Sequence, residues 1–306
     1  MSYNNRKNDF GKNGKTYNQN NWKPRQETFC PLPGQMREKL KNPNCNFSLY
    51  SPRMVSWKIV NNGNGLKADE SAISGLYKQS EKLFSAAGDF ISKKQERQSA
   101  YIAALKEQGV RTFTFRAKTA SPLITGLGSG HPTETGMILD RNTGVPYIPA
   151  SSIKGVLRLA CAVNLARANE QYANGIVPEN DKTLVKFFGS TVQDGENQTR
   201  GQLIFLDAFP AKSVRLKPDI MNPHFGKYYS GEHKQPVETE SPVPIKFLVV
   251  QKGTEFVFNC AFMPLKAGET CGKEEIDKLF KTAFEEIGFG GKTSIGYGRF
   301  KVLEEK

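Results

Sequence analysis

The sequence predicts an α+β fold, on three observations. Short apolar strands are interspersed with two amphipathic helices, and the elements run strand, helix, strand, strand, helix, strand from residue 111 onward. Glycine-rich turns separate them. That order is the ferredoxin-like (RRM-like) plan, the one used by RNA-recognition domains. Here it would carry long insertions and an N-terminal extension.

The elements follow in chain order. Residues 1–28 are rich in Asn, Lys, Gly and Gln, with Tyr3, Phe10, Tyr17 and Trp22 dispersed among them. So little apolar surface cannot offset the entropy of ordering, and a disordered basic arm is expected. Residues 29–110 form the extension. Within it Leu83, Ala87, Phe90 and Ile91, then Tyr101, Ile102 and Leu105, fit a helix packing beside the main domain, interrupted by the polar run KKQERQ. The main domain, 111–306, opens on RTFTFRAK, whose alternation puts Phe113 and Phe115 on one face of a strand. A glycine-studded loop, SPLITGLGSGHPTETG, leads to a helix with Ile153, Val156, Leu157, Ala160 and Cys161 on one side, capped by Ser151 or Ser152. QLIFLDA (202–208) is a strand. IKFLVV, through QKGT, is expected to form a hairpin with EFVFNCAF (255–262). KEEIDKLFKTAFEEIG places Ile276, Leu279, Phe280, Ala283, Phe284 and Ile287 on one stripe, with Gly288 at the C-terminal cap. YGRFKVL (297–303) closes as a strand.

The chain of 306 residues carries 43 Lys+Arg against 30 Asp+Glu, a net charge of +13. Such a surface favours polyanions, of which nucleic acid is the usual case. Residues 1–60 hold 11 basic and 3 acidic side chains, so +8 of the charge sits in the first fifth. The five cysteines are widely spaced without a CxxC pair, which argues against a zinc knuckle or a disulfide framework. His224 and His233 have no carboxylate or thiol at metal spacing, so neither metal nor cofactor is expected. No apolar run approaches the ~20 residues that span a bilayer. The opening MSYNNRKNDFGKNGK has no signal-peptide segment, and the expected setting is cytoplasmic and reducing. The sequons at Asn46 and Asn197 are then chance matches.

The stretch 288–300, GFGGKTSIGYGRF, ends a P-loop pattern at Gly291-Lys292-Thr293. Yet Glu286 stands five residues before Gly291, where a P-loop requires glycine, and a strand follows where it requires a helix. GLGSG (126–130) opens no helix and makes no dinucleotide fingerprint. Glycines in both loops permit positive φ and close approach of another chain, and successive N–H groups can cradle an anion. An RNA backbone is the natural occupant, with Gly126, Gly128, Gly290, Gly291, Lys292, Thr293 and Arg299 around it. Ser151, Ser152 and Lys154 open a helix whose N-terminus favours phosphate, and Arg158 extends that basic face.

GFGGKTSIGYG and IPASSIKGVLR, with GQLIFLDAFP and DIMNPHFGKYYSG between them, together resemble the RAMP superfamily of CRISPR proteins. More narrowly they are similar to the sixth-subunit family of the type III-B Cmr effector. The match runs from about residue 111 to 302. Ala150 stands where that family usually has glycine; if the glycine takes positive φ, this turn must bend differently or bear strain of about 1 kcal/mol. The resemblance implies a ferredoxin-like RAMP domain that binds guide RNA toward its 3′ end and caps a filament of backbone subunits in antiviral defence. Its implied partners are the guide RNA and its target RNA, the backbone RAMP subunit, the neighbouring head RAMP subunit and the small helical subunit, with no membrane. Target cleavage is attributed in that family to the backbone subunit, so this chain is expected to be no enzyme. The alternative is a RAMP-type endonuclease acting on CRISPR RNA, because relatives that process guide RNA often use a loop histidine. His131 is the weak catalytic candidate, with Glu134 beside it; a lone histidine on a glycine loop is more often a hydrogen-bonding or RNA-contacting residue. Asp140 and Asp207 are expected to be a turn residue and a strand-end residue. The excursion 209–234 interleaves Lys212, Arg215, Lys217, Lys227 and Lys234 with Phe225, Tyr228 and Tyr229. It suits equally an element inserted between nucleotides, with Lys227 on RNA, and a subunit contact surface.

Overall fold

The computed structural model describes residues 28–60, 65–69, 71–172, 174–190, 198–237 and 244–303. The basic arm expected over 1–28 lies, apart from Thr28, outside them. The extension begins with β1 (Thr28–Phe29), α1 (Gly34–Leu40), α2 (Phe47–Arg53), β2 (Trp57–Val60) and β3 (Gly65–Ala68). Two helices follow, α3 (Ala72–Ala86) and α4 (Gly88–Glu107). The helical break therefore falls at Ala87, not at KKQERQ as the apolar spacing suggested. That polar run lies within α4 because it docks on polar groups. Gln95 donates to the carbonyls of Phe209 and Pro210, Gln98 donates to Asp207, and Lys94 pairs with Asp140 at 2.7 Å.

The main sheet is built from β4 (Arg111–Thr119), β5 (Leu203–Phe205), β6 (Phe209–Pro210), β9 (Glu255–Phe262) and β10 (Phe300–Val302). All pairings are antiparallel, in the order β10-β4-β9-β5, with β6 also on β9. The four principal strands thus stand fourth, first, third, second in chain order. Two helices, α5 (Ala150–Ala168) and α8 (Lys273–Thr282), pack together on one face, and α6 (Lys182–Phe188) leans on α5. Register puts Phe115 opposite Phe258 and Ala117 opposite Phe256, so their side chains point to that face together. Phe258 is fully buried against Phe280, Phe284, Phe289 and Phe300, with centroids 4.9 to 6.3 Å apart, and Phe115 stacks on Phe280 at 4.1 Å.

The expected hairpin of IKFLVV with EFVFNCAF does not form. Residues 245–250 (β8) pair instead with β7 (Leu216–Met221) in a separate ribbon that also carries α7 (Gly226–Tyr229). The QKGT turn is held by the end of β4. Thr119 exchanges backbone bonds with Thr254 and Gly253, and its hydroxyl donates to Gln251 and accepts from the Thr254 N–H. That turn redirects the chain out of the sheet.

Between β5 and β6, Asp207 and Ala208 oppose the single residue Phe258, a β-bulge. The bulge aims the Asp207 carboxylate at the Ala150 N–H, 2.7 Å away, at the start of α5. Pro149 occupies the N-cap position, and neither Ser151 nor Ser152 caps the helix. Ala150 sits in the helix without positive φ, so the strain considered for it is absent.

Phe258→Ala is expected to cost about 3–5 kcal/mol, and Asp207→Ala about 0.5–2 kcal/mol, in urea denaturation. The reverse ranking would contradict this account of the core.

Candidate nucleic-acid interface

The face of the sheet opposite α5 and α8 bears Thr112, Thr114 and Arg116 from β4 and Val257, Asn259 and Ala261 from β9. None of these is aromatic, and Phe209 of β6, opposite Val257, is buried beneath Lys94 of α4, so these strands offer no exposed ring for a base to stack on. The face is also covered, because α4 packs on β4, β6 and β9. Asn259 accepts from Thr114 and donates to Gln98 of α4. The surface left for a ligand lies at the loops.

Two of those loops are stitched together. The Gly291 N–H donates to the Ile124 carbonyl at 2.8 Å, and the Gly298 N–H donates to Pro122 at 2.8 Å. Ile124, Phe247 and Val249 form a small buried cluster beneath, with Leu127, Met221 and Tyr297 packed on it. Tyr297 also donates to Asp219 at 2.9 Å, tying the ribbon to the same place. The 125–131 loop and the C-terminal glycine loop therefore leave the sheet side by side.

The glycines serve it differently from what the sequence suggested. A Cβ on Gly290 would stand 2.0 Å from the Ile124 carbonyl oxygen, and one on Gly298 would stand 1.9 Å from that of Phe289. The backbone that comes close at both positions is this chain's own. Gly288 has φ +81° and its N–H reaches back to Ala283, so it ends the α8 segment as expected. Glu286, two residues earlier in the π-helical turn Ala283–Ile287 that continues α8, accepts two hydrogen bonds from Arg167, of 3.0 and 2.7 Å; it lies on helix, as the rejection of a P-loop required.

Lys292 adopts left-handed backbone, φ +59°, and its carbonyl accepts from Ile295 and Tyr297 across the short helical turn Thr293–Ile295. Gly290 is exposed, and Gly291, Lys292 and Thr293 are half-buried. Arg299 folds inward: Nη2 donates to the Thr293 carbonyl at 3.3 Å, and Nη1 is buried beside Gly288 without a partner. It braces the loop rather than reaching outward.

On the other loop Gly126 has φ +77° and lies against Ile138, while Gly128 is exposed. His131 accepts from the Thr133 N–H at Nδ1, and its ring is also bonded to the Thr133 hydroxyl at 2.8 Å. Burial pulls its pKa below the usual value of 6.5, opposed by a hydrogen bond to the Ser51 backbone. The ring therefore joins this loop to α2. It lines a cavity of about 480 Å3 with Phe47, Ile73, Met137 and Arg53. Glu134 is exposed at φ +73°.

The remaining expected residues lie elsewhere. Ser151 and Lys154 are exposed and Ser152 is half-buried at the α5 start, where Asp207 already supplies a carboxylate to the first N–H. Arg158 donates to the carbonyls of Gly189 and Glu179, both at 3.3 Å, and holds α6 and its approach rather than extending a basic face. Lys227 lies exposed on α7 of the ribbon, with Tyr228 and Tyr229 beside it. Asp140 is a turn residue, as expected, and more: burial raises its pKa, but Lys94 and the Thr143 N–H and hydroxyl together hold it below the ordinary value. Asn46, of the sequon read as a chance match, has a structural role. It caps α2 and donates to the carbonyls of Arg141 and Asn142, so the sequon asparagine binds the extension to the main domain.

Three outcomes follow from this geometry. Gly290→Ala should cost several-fold more stability than Gly296→Ala, which meets open space and only the strain of φ +95°, about 1 kcal/mol. Lys292→Gly should stabilise the fold by ~0.5–1 kcal/mol by removing left-handed strain, read as a raised Tm. Because the folded pKa of His131 is lowered, its contribution is complete above 6.5 and lost as pH falls through the lower value. Hydrogen exchange at residues 131–135 should quicken, after correction for intrinsic rates, from pH 7.5 to 5.5, and His131→Gln should abolish that change.

The RAMP superfamily model matches residues 116–301. The CRISPR system Cmr subunit Cmr6 of Pyrococcus furiosus is 34% identical over 235 residues, covering 62% of this chain and 68% of that protein. Cmr6 of Saccharolobus solfataricus is 25% identical over 171 residues, 55% of this chain, and the chain spans 49% of its length. A chain of the type III-B Cmr-beta complex bound to cognate target RNA superposes with TM-score 0.52 at 18% identity, covering 88% of this chain and 86% of that one. The chain belongs to the RAMP superfamily, on its Cmr6 branch.

Proposed function

We propose that this chain is a non-catalytic, RNA-binding and scaffolding subunit of a type III-B CRISPR effector complex. The observation that carries this reading is the bond from Gly291 to Ile124, which joins two glycine loops beside Lys292 in a basic chain. Guide RNA, toward its 3′ end, would lie along Gly126, Gly128, Gly291, Lys292 and Thr293, with Arg299 bracing the turn beneath. Ser151, Ser152, Lys154 and Lys227 are contacts at separate points of the path. The chain would cap the backbone filament and touch the backbone RAMP subunit, the neighbouring head subunit and the small helical subunit, with target RNA paired to the guide.

The strand order supports a ferredoxin-like plan for residues 111–306, and the family match begins five residues inside that boundary. Residues 29–110 serve as an extension, joined through Asn46 and α4. Residues 1–28 add charge for loose contact with RNA. No helix among the described residues is long and apolar enough to cross a membrane, and we place the protein in the cytoplasm.

The endonuclease reading centres on His131. That side chain bonds Thr133 and the Ser51 backbone, a structural role, rather than a second acid–base group. The non-catalytic reading is therefore preferred.

Wild-type protein should bind single-stranded RNA with steep salt dependence and little sequence preference, weakening at least tenfold between roughly 50 and 500 mM salt. Lys292→Ala should weaken that binding, and ATP turnover should be absent from both. Affinity indifferent to salt would sink the RNA reading, and RNA cleavage lost in His131→Ala would establish the enzyme instead.

A further inference from the structure

Where β4 ends and β9 begins, Lys118, Lys212, Arg215 and Lys252 surround a groove of about 390 Å3, lined otherwise by Ser213 and the 251–255 turn. Four cations meet one carboxylate there, and it is already engaged. Glu255 accepts from Arg116 Nε at 2.7 Å and pairs with Nη2 at 2.5 Å. Arg215 approaches Glu81 at 3.9 Å between two exposed side chains, a pair worth little. Among the described residues no carboxylate forms an ion pair with Lys118, Lys212 or Lys252. The ladder sets Lys118 between Lys301 on β10, a like charge that repels it, and Glu255 on β9, the carboxylate that Arg116 already holds. The fold thus holds together cations that destabilise one another unless an anion lies between them.

The groove is rigid before any ligand arrives. Its turn is held at both ends by the Thr119 backbone and hydroxyl. Thr119 is also the ladder partner of Phe300, next to Arg299, so the groove continues from the base of the glycine loop. No apolar or aromatic side chain lines it. An interface with an acidic protein would bring an apolar core, whereas a phosphate chain requires only charge and donors.

We propose that this groove binds the phosphate backbone of single-stranded RNA, as a site separate from the two glycine loops. The proposal rests on the RNA-binding reading above and adds the place where the strand continues. Lys118, Lys212 and Lys252 each neutralise a phosphate, and Arg215 supplies a planar donor pair.

The test is fluorescence anisotropy of the full chain with a labelled RNA of about 20 nucleotides, across a salt series. The variants are Lys118→Ala/Lys212→Ala/Lys252→Ala, its triple Lys→Arg counterpart and Lys292→Ala, with circular dichroism confirming folding. Each lost phosphate contact should reduce the slope of log affinity against log salt by about 0.7, so the triple alanine variant should lose about 2. The arginine counterpart should keep the wild-type slope. RNA binding by wild type with an unchanged slope in the triple alanine variant overturns the groove and leaves the RNA reading intact. Wild type that binds no RNA at low salt overturns both. Intact RNA binding by the triple alanine variant, with loss of co-purifying subunits, assigns the groove to an acidic protein surface and also overturns the proposal.

Discussion

The carbonyl of Ile124 approaches Gly290 more closely than any side chain would permit, and it accepts the N–H of Gly291. Much of the candidate interface depends on that contact. It requires a residue without Cβ at 290, and the neighbouring approach to Phe289 requires another at 298. It fixes where the 125–131 loop leaves the sheet, and it places Lys292 in a conformation that a lysine adopts only under constraint. The buried cluster of Ile124, Phe247 and Val249 supports the contact from below, so the ribbon belongs to the same unit. Two loops that would each be mobile alone become one surface, at the cost of several strained backbone positions.

The second organising feature is the position of α4. An antiparallel sheet with helices on one face leaves the other free, and RNA-recognition domains use that free face. Here the polar residues of KKQERQ and its neighbours bind the bulged strand and Asn259, filling the face with amide hydrogen bonds. Lys94 lies 4.4 Å over the Phe209 ring while pairing with Asp140, so one side chain ties the extension to both a strand and a loop. The extension thereby moves any nucleic-acid contact from the sheet to its end. Charge at that end is arranged accordingly, with cations gathered around a rigid turn whose single carboxylate is already neutralised.

Several charged and polar side chains take roles that tertiary contacts, not their local setting, assign. Arg158 and Arg299 are basic residues in basic neighbourhoods, and both spend their guanidinium on this chain's carbonyls. Asp207 looked like a strand end, yet a one-residue bulge turns its carboxylate into the cap of α5. His131 hydrogen-bonds Thr133 and the Ser51 backbone, the hydrogen-bonding role its glycine loop suggested, and so joins that loop to α2. For Arg158 and Asp207 the partner is distant in sequence, by 31 residues for Gly189 and by 57 for Ala150. Local pattern carries no information about such pairs.

The sequence by itself determined the α+β class, the main strands and both sheet-packing helices, because alternation and helical stripes are local consequences of which side chains must be buried. It also determined the family, through two motifs, one of which holds the glycines at 290 and 298 that the fold cannot replace, and it excluded the P-loop through Glu286. Only the tertiary structure decided which strand the 245–250 segment pairs with, that α4 closes the sheet, and which backbone approaches the glycines. The physical reason is common to all three. Each depends on hydrogen-bond partners far along the chain, and a donor or acceptor in sequence does not declare which partner will satisfy it.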